Sequence, residues 1–112
     1  QERPWLNQKG KLFVINGPRT FSAAAVTTIF LKRDANAIVV GEPSRSKPNG
    51  ADNMENEVLP NSKLSFSYTD TIRNHWAELG DAPYIPVDVL LENTIEDFLQ
   101  GKDRVLEYII RL

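Results

Sequence analysis

Short apolar runs alternate with polar, turn-forming stretches along this chain, and the period of each run predicts an element. Leu12-Phe13-Val14-Ile15 is continuously apolar and bounded by Gly10 and Gly17-Pro18, which predicts a strand covered on both faces. Residues 21 to 33 change to helical spacing, with Val26, Ile29, Phe30 and Arg33 in step and Ala23, Ala24 and Ala25 favouring the helix. The β-branched run Val26-Thr27-Thr28-Ile29 weakens that propensity, so packing must hold the helix and half of it or more is expected to be buried. Asp34 to Asn36 form the exit turn, and Ala37-Ile38-Val39-Val40 is a second buried-type strand. Strand, helix and strand joined by short links predict a parallel crossover unit.

Beyond it, residues 41 to 53 are rich in Gly, Pro, Ser and Asn and predict a surface or cleft-covering loop. Residues 55 to 59 and 63 to 69 predict an antiparallel pair turned by Pro60-Asn61-Ser62. Leu64, Phe66 and Tyr68 alternate with Ser65, Ser67 and Thr69, which places the apolar set toward a core. Residues 71 to 83 read as irregular, and 84 to 91 as a strand with Pro86 near its start. Asn93 or Thr94 caps a short helix through Leu99, Gly101 breaks it, and a last helix covers about 103 to 111. Its Val105, Leu106, Ile109 and Ile110 share one face. Residues 1 to 10 read as a linker or frayed start, with Trp5 and Leu6 available to dock on a neighbour.

Composition narrows the class. The chain has 112 residues, is 41% hydrophobic and 25% charged, and carries a formal charge of −2, which describes a globular α/β piece. That charge gives no nucleic-acid or anionic-membrane footprint, and no apolar run is long enough to span a bilayer. With no cysteine, disulfides, thiolate zinc sites and cysteine catalysis are excluded. One histidine and scattered carboxylates offer no metal-ligand spacing, so no metal site is expected. The chain starts at Gln1, so a targeting signal and upstream catalytic parts are expected to have been removed.

Candidate chemistry is concentrated at Ser22, where Thr20-Phe21-Ser22-Ala23-Ala24 passes from a strand into a helix. A serine there serves either as an N-cap or as a nucleophile. As a nucleophile it gains from the helix N-terminus, whose free N–H groups face a developing oxyanion, the Ala23 N–H among them. A serine hydroxyl needs a base. Lys47 follows in the next loop, between Pro43, Pro48 and Gly50, and a lysine accepts a proton only if burial suppresses its charge. Otherwise Lys47 is a solvated loop cation. His75 is the alternative base, within a segment that reads as surface. Asp52, Glu55 and Glu57 are available to pair with Lys47 or Arg45, or form a solvated acidic stretch.

Taken in order, these segments resemble the C-terminal part of the catalytic domain of the C-terminal processing (tail-specific) serine peptidases. The resemblance covers about residues 11 to 112 and is carried by Asn16-Gly17-Pro18, Thr20 to Ala24, Val39-Val40-Gly41-Glu42-Pro43-Ser44, Ile85-Pro86-Val87-Asp88-Val89 and Phe98 to Leu106. It implies a ClpP/crotonase-like α/β fold built from β-β-α units, here with an antiparallel hairpin and a C-terminal helix. It also implies peptide hydrolysis by a Ser22–Lys47 dyad, Ala23 as an oxyanion-hole donor, no cofactor, and a peptide or protein substrate. A periplasmic, cell-envelope or secreted location follows from the same resemblance. The family's usual Thr-x-Gly-Lys is Ser44-Arg45-Ser46-Lys47 here, and residues 1 to 21 hold no glycine-rich oxyanion segment, which is expected further upstream. The isolated 112 residues are therefore expected to be inactive. Two other readings remain on the same scaffold: a non-catalytic peptide-binding or assembly domain, and an acyl-CoA enzyme of the crotonase type. An edge of the hairpin is also open to strand addition by a peptide.

Overall fold

The computed structural model describes residues 12–112; the expected linker at 1 to 10, with Trp5 and Leu6, lies outside them. The chain is mixed α/β. Strand β1 (Phe13–Asn16), helix α1 (Ala23–Ala35) and strand β2 (Ile38–Gly41) form the expected crossover unit. β2 is the middle strand of a parallel sheet ordered β1-β2-β7, with Phe13 facing Ile38 and Asn16 facing Gly41. Strand β7 is only Val89–Leu90, so most of the strand expected over 84 to 91 is loop. Ile85 in that loop is nonetheless fully buried, packed with Ala25 and Ile29 of α1 and flanked by Trp76.

Helix α1 holds its threonines by a local device. Thr27 and Thr28 donate their hydroxyls to the carbonyls of Ala23 and Ala24, at 2.8 and 2.9 Å, which satisfies them within the helix. Ala25, Thr28 and Ile29 are its buried side. Asn36 ends it in the left-handed region that asparagine tolerates. β1 departs from expectation: as an edge strand it leaves Ile15 more than half exposed, while Val39 and Val40 on β2 are fully buried.

Asp88 ties β2 to the segment before β7. Its N–H donates to the Val39 carbonyl, its Oδ2 accepts the Val39 N–H at 2.8 Å, and its other oxygen pairs with Lys32 of α1. Burial works against the charged carboxylate, but the Lys32 and Val39 hydrogen bonds outweigh it and hold Asp88 below its ordinary value. A lowered folded pKa gives stability that is present above the unfolded value and lost as the pH falls through the folded one. Asp88→Ala removes this contribution and leaves the buried Val39 N–H without its side-chain acceptor. We expect a loss of about 1–3 kcal/mol at neutral pH, with the difference from wild type narrowing in acid. Urea unfolding at neutral pH and below pH about 4 measures both.

The expected loop and irregular segment conceal a second ladder. Strand β3 (Asn49–Asp52) pairs antiparallel with β6 (Thr71–Asn74), and β4 (Glu55–Val58) with β5 (Ser65–Tyr68). Two residues on each side, Asn53-Met54 and Thr69-Asp70, separate the ladders, so one register runs through a single long hairpin. A short 3₁₀ turn, Ala77–Leu79, follows it. The hairpin corrects the core assignment of its apolar face. Leu64, Phe66 and Tyr68 are all exposed, and every residue of β4 and β5 is exposed. Phe66 and Tyr68 stack on each other, with centroids 6.0 Å apart, and not on a core.

Of the two cap candidates for the first C-terminal helix, Thr94 is the one used: it begins α2 (Ile95–Leu99) with a capping box to Asp97. Asp103, which the sequence pattern placed only at the start of the last helix, caps α3 (Arg104–Ile110) by accepting from the Val105 and Leu106 N–H groups. Of the predicted apolar face of α3, Val105 is buried and Ile109 half-buried, whereas Leu106 and Ile110 are exposed. No described helix is long and apolar enough to cross a membrane.

Candidate active site

The chain leaves β1 through a tight turn: the Thr20 N–H donates to the Gly17 carbonyl at 2.8 Å, and the Gly17 N–H to the Thr20 hydroxyl at 3.1 Å. A second turn follows at once, closed by the Ala24 N–H on the Phe21 carbonyl at 3.2 Å. Ser22 is the first central residue of that turn, with φ 54° and ψ −126°. Those angles are the mirror image of a type II turn, a place where glycine is the usual residue. Gly80, at φ 53° and ψ −126°, shows the same conformation taken by glycine elsewhere in this chain. A serine there carries backbone strain of about 1–3 kcal/mol.

Ser22 does not cap α1 with its side chain, although it holds the N-cap position. Its carbonyl accepts the Val26 N–H at 3.0 Å, and its residue is exposed. Among the described residues no acceptor takes the Ala23 N–H, and the first turn of α1 has no acidic side chain. The turn thus presents a free hydroxyl beside a free N–H at the positive end of a helix. An open groove of about 460 Å³ runs alongside, lined by Ile15, Gly17, Pro18, Arg19, Thr20 and Ala24. Asn16 also lines it, with Nδ2 bonded to the Glu42 carbonyl at 2.8 Å and Oδ1 buried without a partner among the described residues. If strain without capping describes Ser22, Ser22→Gly raises stability by about 1 kcal/mol, because glycine relieves the positive φ at a smaller entropic cost. A simple N-cap would instead lose a few tenths on the same change. The sign of the shift in a urea midpoint decides.

Lys47 follows a loop that is tied toward this turn. The Ser44 hydroxyl accepts the buried Ile85 N–H and donates to the Ser46 carbonyl, and the Ser46 hydroxyl reaches the Thr20 carbonyl at 3.5 Å. Pro48, the residue after Lys47, is fully buried. Lys47 itself is about half exposed, and its ammonium donates to Asp81 at 2.7 Å. No hydrogen bond joins Lys47 to Ser22 among the described residues. The hydrogen bond and charge of Lys47 hold the exposed Asp81 carboxyl below its ordinary value. Asp81 is the partner that sequence spacing did not reveal. It is brought there by Asn49, whose side chain holds the carbonyls of Trp76 and Gly80 and the N–H of Trp76.

The other acidic candidates go elsewhere. Asp52 pairs with Arg73 at 3.0 Å and lies 3.6 Å from His75, so it serves neither Lys47 nor Arg45. His75 is half-buried, edge-on to Phe30 at 6.1 Å. Glu55 and Glu57 are on the exposed hairpin without an ion-pair partner among the described residues. No group of three potential metal ligands lies together among the described residues. Compared with known proteins, the chain matches no family model, no curated protein and no solved structure.

Proposed function

We propose that this chain is part of a serine-type peptidase on a ClpP/crotonase-like scaffold, with Ser22 as nucleophile, Ala23 N–H as one oxyanion donor and Lys47 as general base. One observation carries the reading: a serine held in a glycine conformation at a helix start, its hydroxyl unused by the helix it begins. Strain of this kind persists where the surrounding structure enforces it, as at strand-to-helix turns that expose a nucleophile. A peptide carbonyl carbon at the hydroxyl would place its oxygen toward the Ala23 N–H. Base work by Lys47 requires it to leave Asp81 and be covered by the bound substrate or by further chain, since only a desolvated lysine takes the serine proton.

The Lys47–Asp81 pair also supports a second reading, a binding domain in which the lysine is a structural cation. A fluorophosphonate probe separates the two. On the full-length protein, labelling mapped to Ser22 by mass spectrometry is the expected result. Peptide binding without any labelling at Ser22 would overturn the hydrolytic reading in favour of the binding one.

A further inference from the structure

We infer that the β4 edge of the long hairpin is a docking strand for an extended protein segment carrying Lys or Arg at alternate positions. The β4–β5 ribbon has two strands and no third, so the outer backbone groups of β4 have no ladder partner among the described residues. A two-stranded ribbon is marginal in water, and an open edge is a template for strand addition. Glu55 faces Tyr68 and Glu57 faces Phe66 across the ladder, so both carboxylates share the face of the stacked aromatic pair. Neither carboxylate has an ion-pair partner among the described residues.

Charge selects the occupant. A second copy added antiparallel about Asn56 would set Glu55 and Glu57 against the same two residues, and like charges directly opposite are destabilising. A strand with Lys or Arg at every second position instead meets both carboxylates on one face. Its stems lie toward Phe66 and Tyr68, and its intervening residues meet Asn56 and Val58 on the other face. The inference is independent of Ser22 chemistry, because it uses none of the residues of that site.

The test uses the full chain and two fluorescent peptides, acetyl-Lys-Val-Lys-Val-Lys-Val-Lys-amide and its Glu-Val counterpart. Anisotropy is expected to show binding of the Lys peptide alone. Glu55→Lys combined with Glu57→Lys weakens it about tenfold or more, and added salt weakens it in wild type. These exposed positions leave the fold intact, which circular dichroism checks. Backbone amide shifts on peptide addition are expected to concentrate on 55 to 58. Equal affinity for the two peptides, no binding of either, or an unchanged affinity in the double variant overturns the inference. So does concentration-dependent self-association that Phe66→Ser abolishes, which would assign the face to a second copy.

Discussion

Ser22→Ala in the full-length protein is expected to lower kcat for peptide hydrolysis by at least about 10³-fold, with KM changed little. The reason is local. Alanine keeps the positive φ problem and the helix start, but removes the one oxygen that the turn presents without a partner. Because that oxygen makes no capping bond, the variant loses little stability, and activity separates cleanly from folding. Lys47→Ala refines the same result. Groups that act as a unit fail together, so a comparable loss identifies the pair, whereas a wild-type rate for Lys47→Ala assigns the base elsewhere. A Ser22→Ala enzyme with normal turnover would dismiss the nucleophile altogether.

The crossover unit was legible because its apolar runs are bounded by glycine, proline and Asp34 to Asn36, and each run has one period. The cap of α2 was legible as Asn93 or Thr94, short polar side chains immediately before apolar helical spacing, whereas for α3 only the helix was read and not the capping role of Asp103. β3 and β6 were not. Asn49-Gly50-Ala51-Asp52 has no alternation, and only pairing with Thr71 to Asn74 makes it a strand. Alternation in Leu64, Phe66 and Tyr68 correctly separated two faces. It could not tell that none of the described residues covers the apolar one, because period describes a strand and not its neighbours. The Ser22 turn was half legible. Its position between strand and helix followed from pattern, but its glycine-like backbone had no glycine to announce it. Asp81 had no signal, since the contact to Lys47 depends on how Asn49 gathers the 76 to 80 segment.

Gly41→Ala is expected to cost at least about 3 kcal/mol, a large part of what a domain of this size has. Gly41 stands at φ 118°, and a Cβ there would lie 2.2 Å from the Asn16 carbonyl oxygen. That oxygen belongs to the main chain of β1 and also accepts the Glu42 N–H at 3.0 Å, so it has no flexible end to move aside. Asn16 is buried and its side chain binds the Glu42 carbonyl, which locks the two strand ends together. The added methyl must therefore part β1 from β2 where the parallel ladder ends. Gly17→Ala is the control: no atom lies within 4 Å of a Cβ there, and its cost is expected to stay within about 0.5 kcal/mol. Urea unfolding of both variants measures the contrast, and equal midpoints would mean that the strands do not approach this closely. The effect bears on the site as well. β1 leads into the Ser22 turn and β2 into the loop of Lys47, so Gly41 is where the two halves of the proposed dyad are held in register.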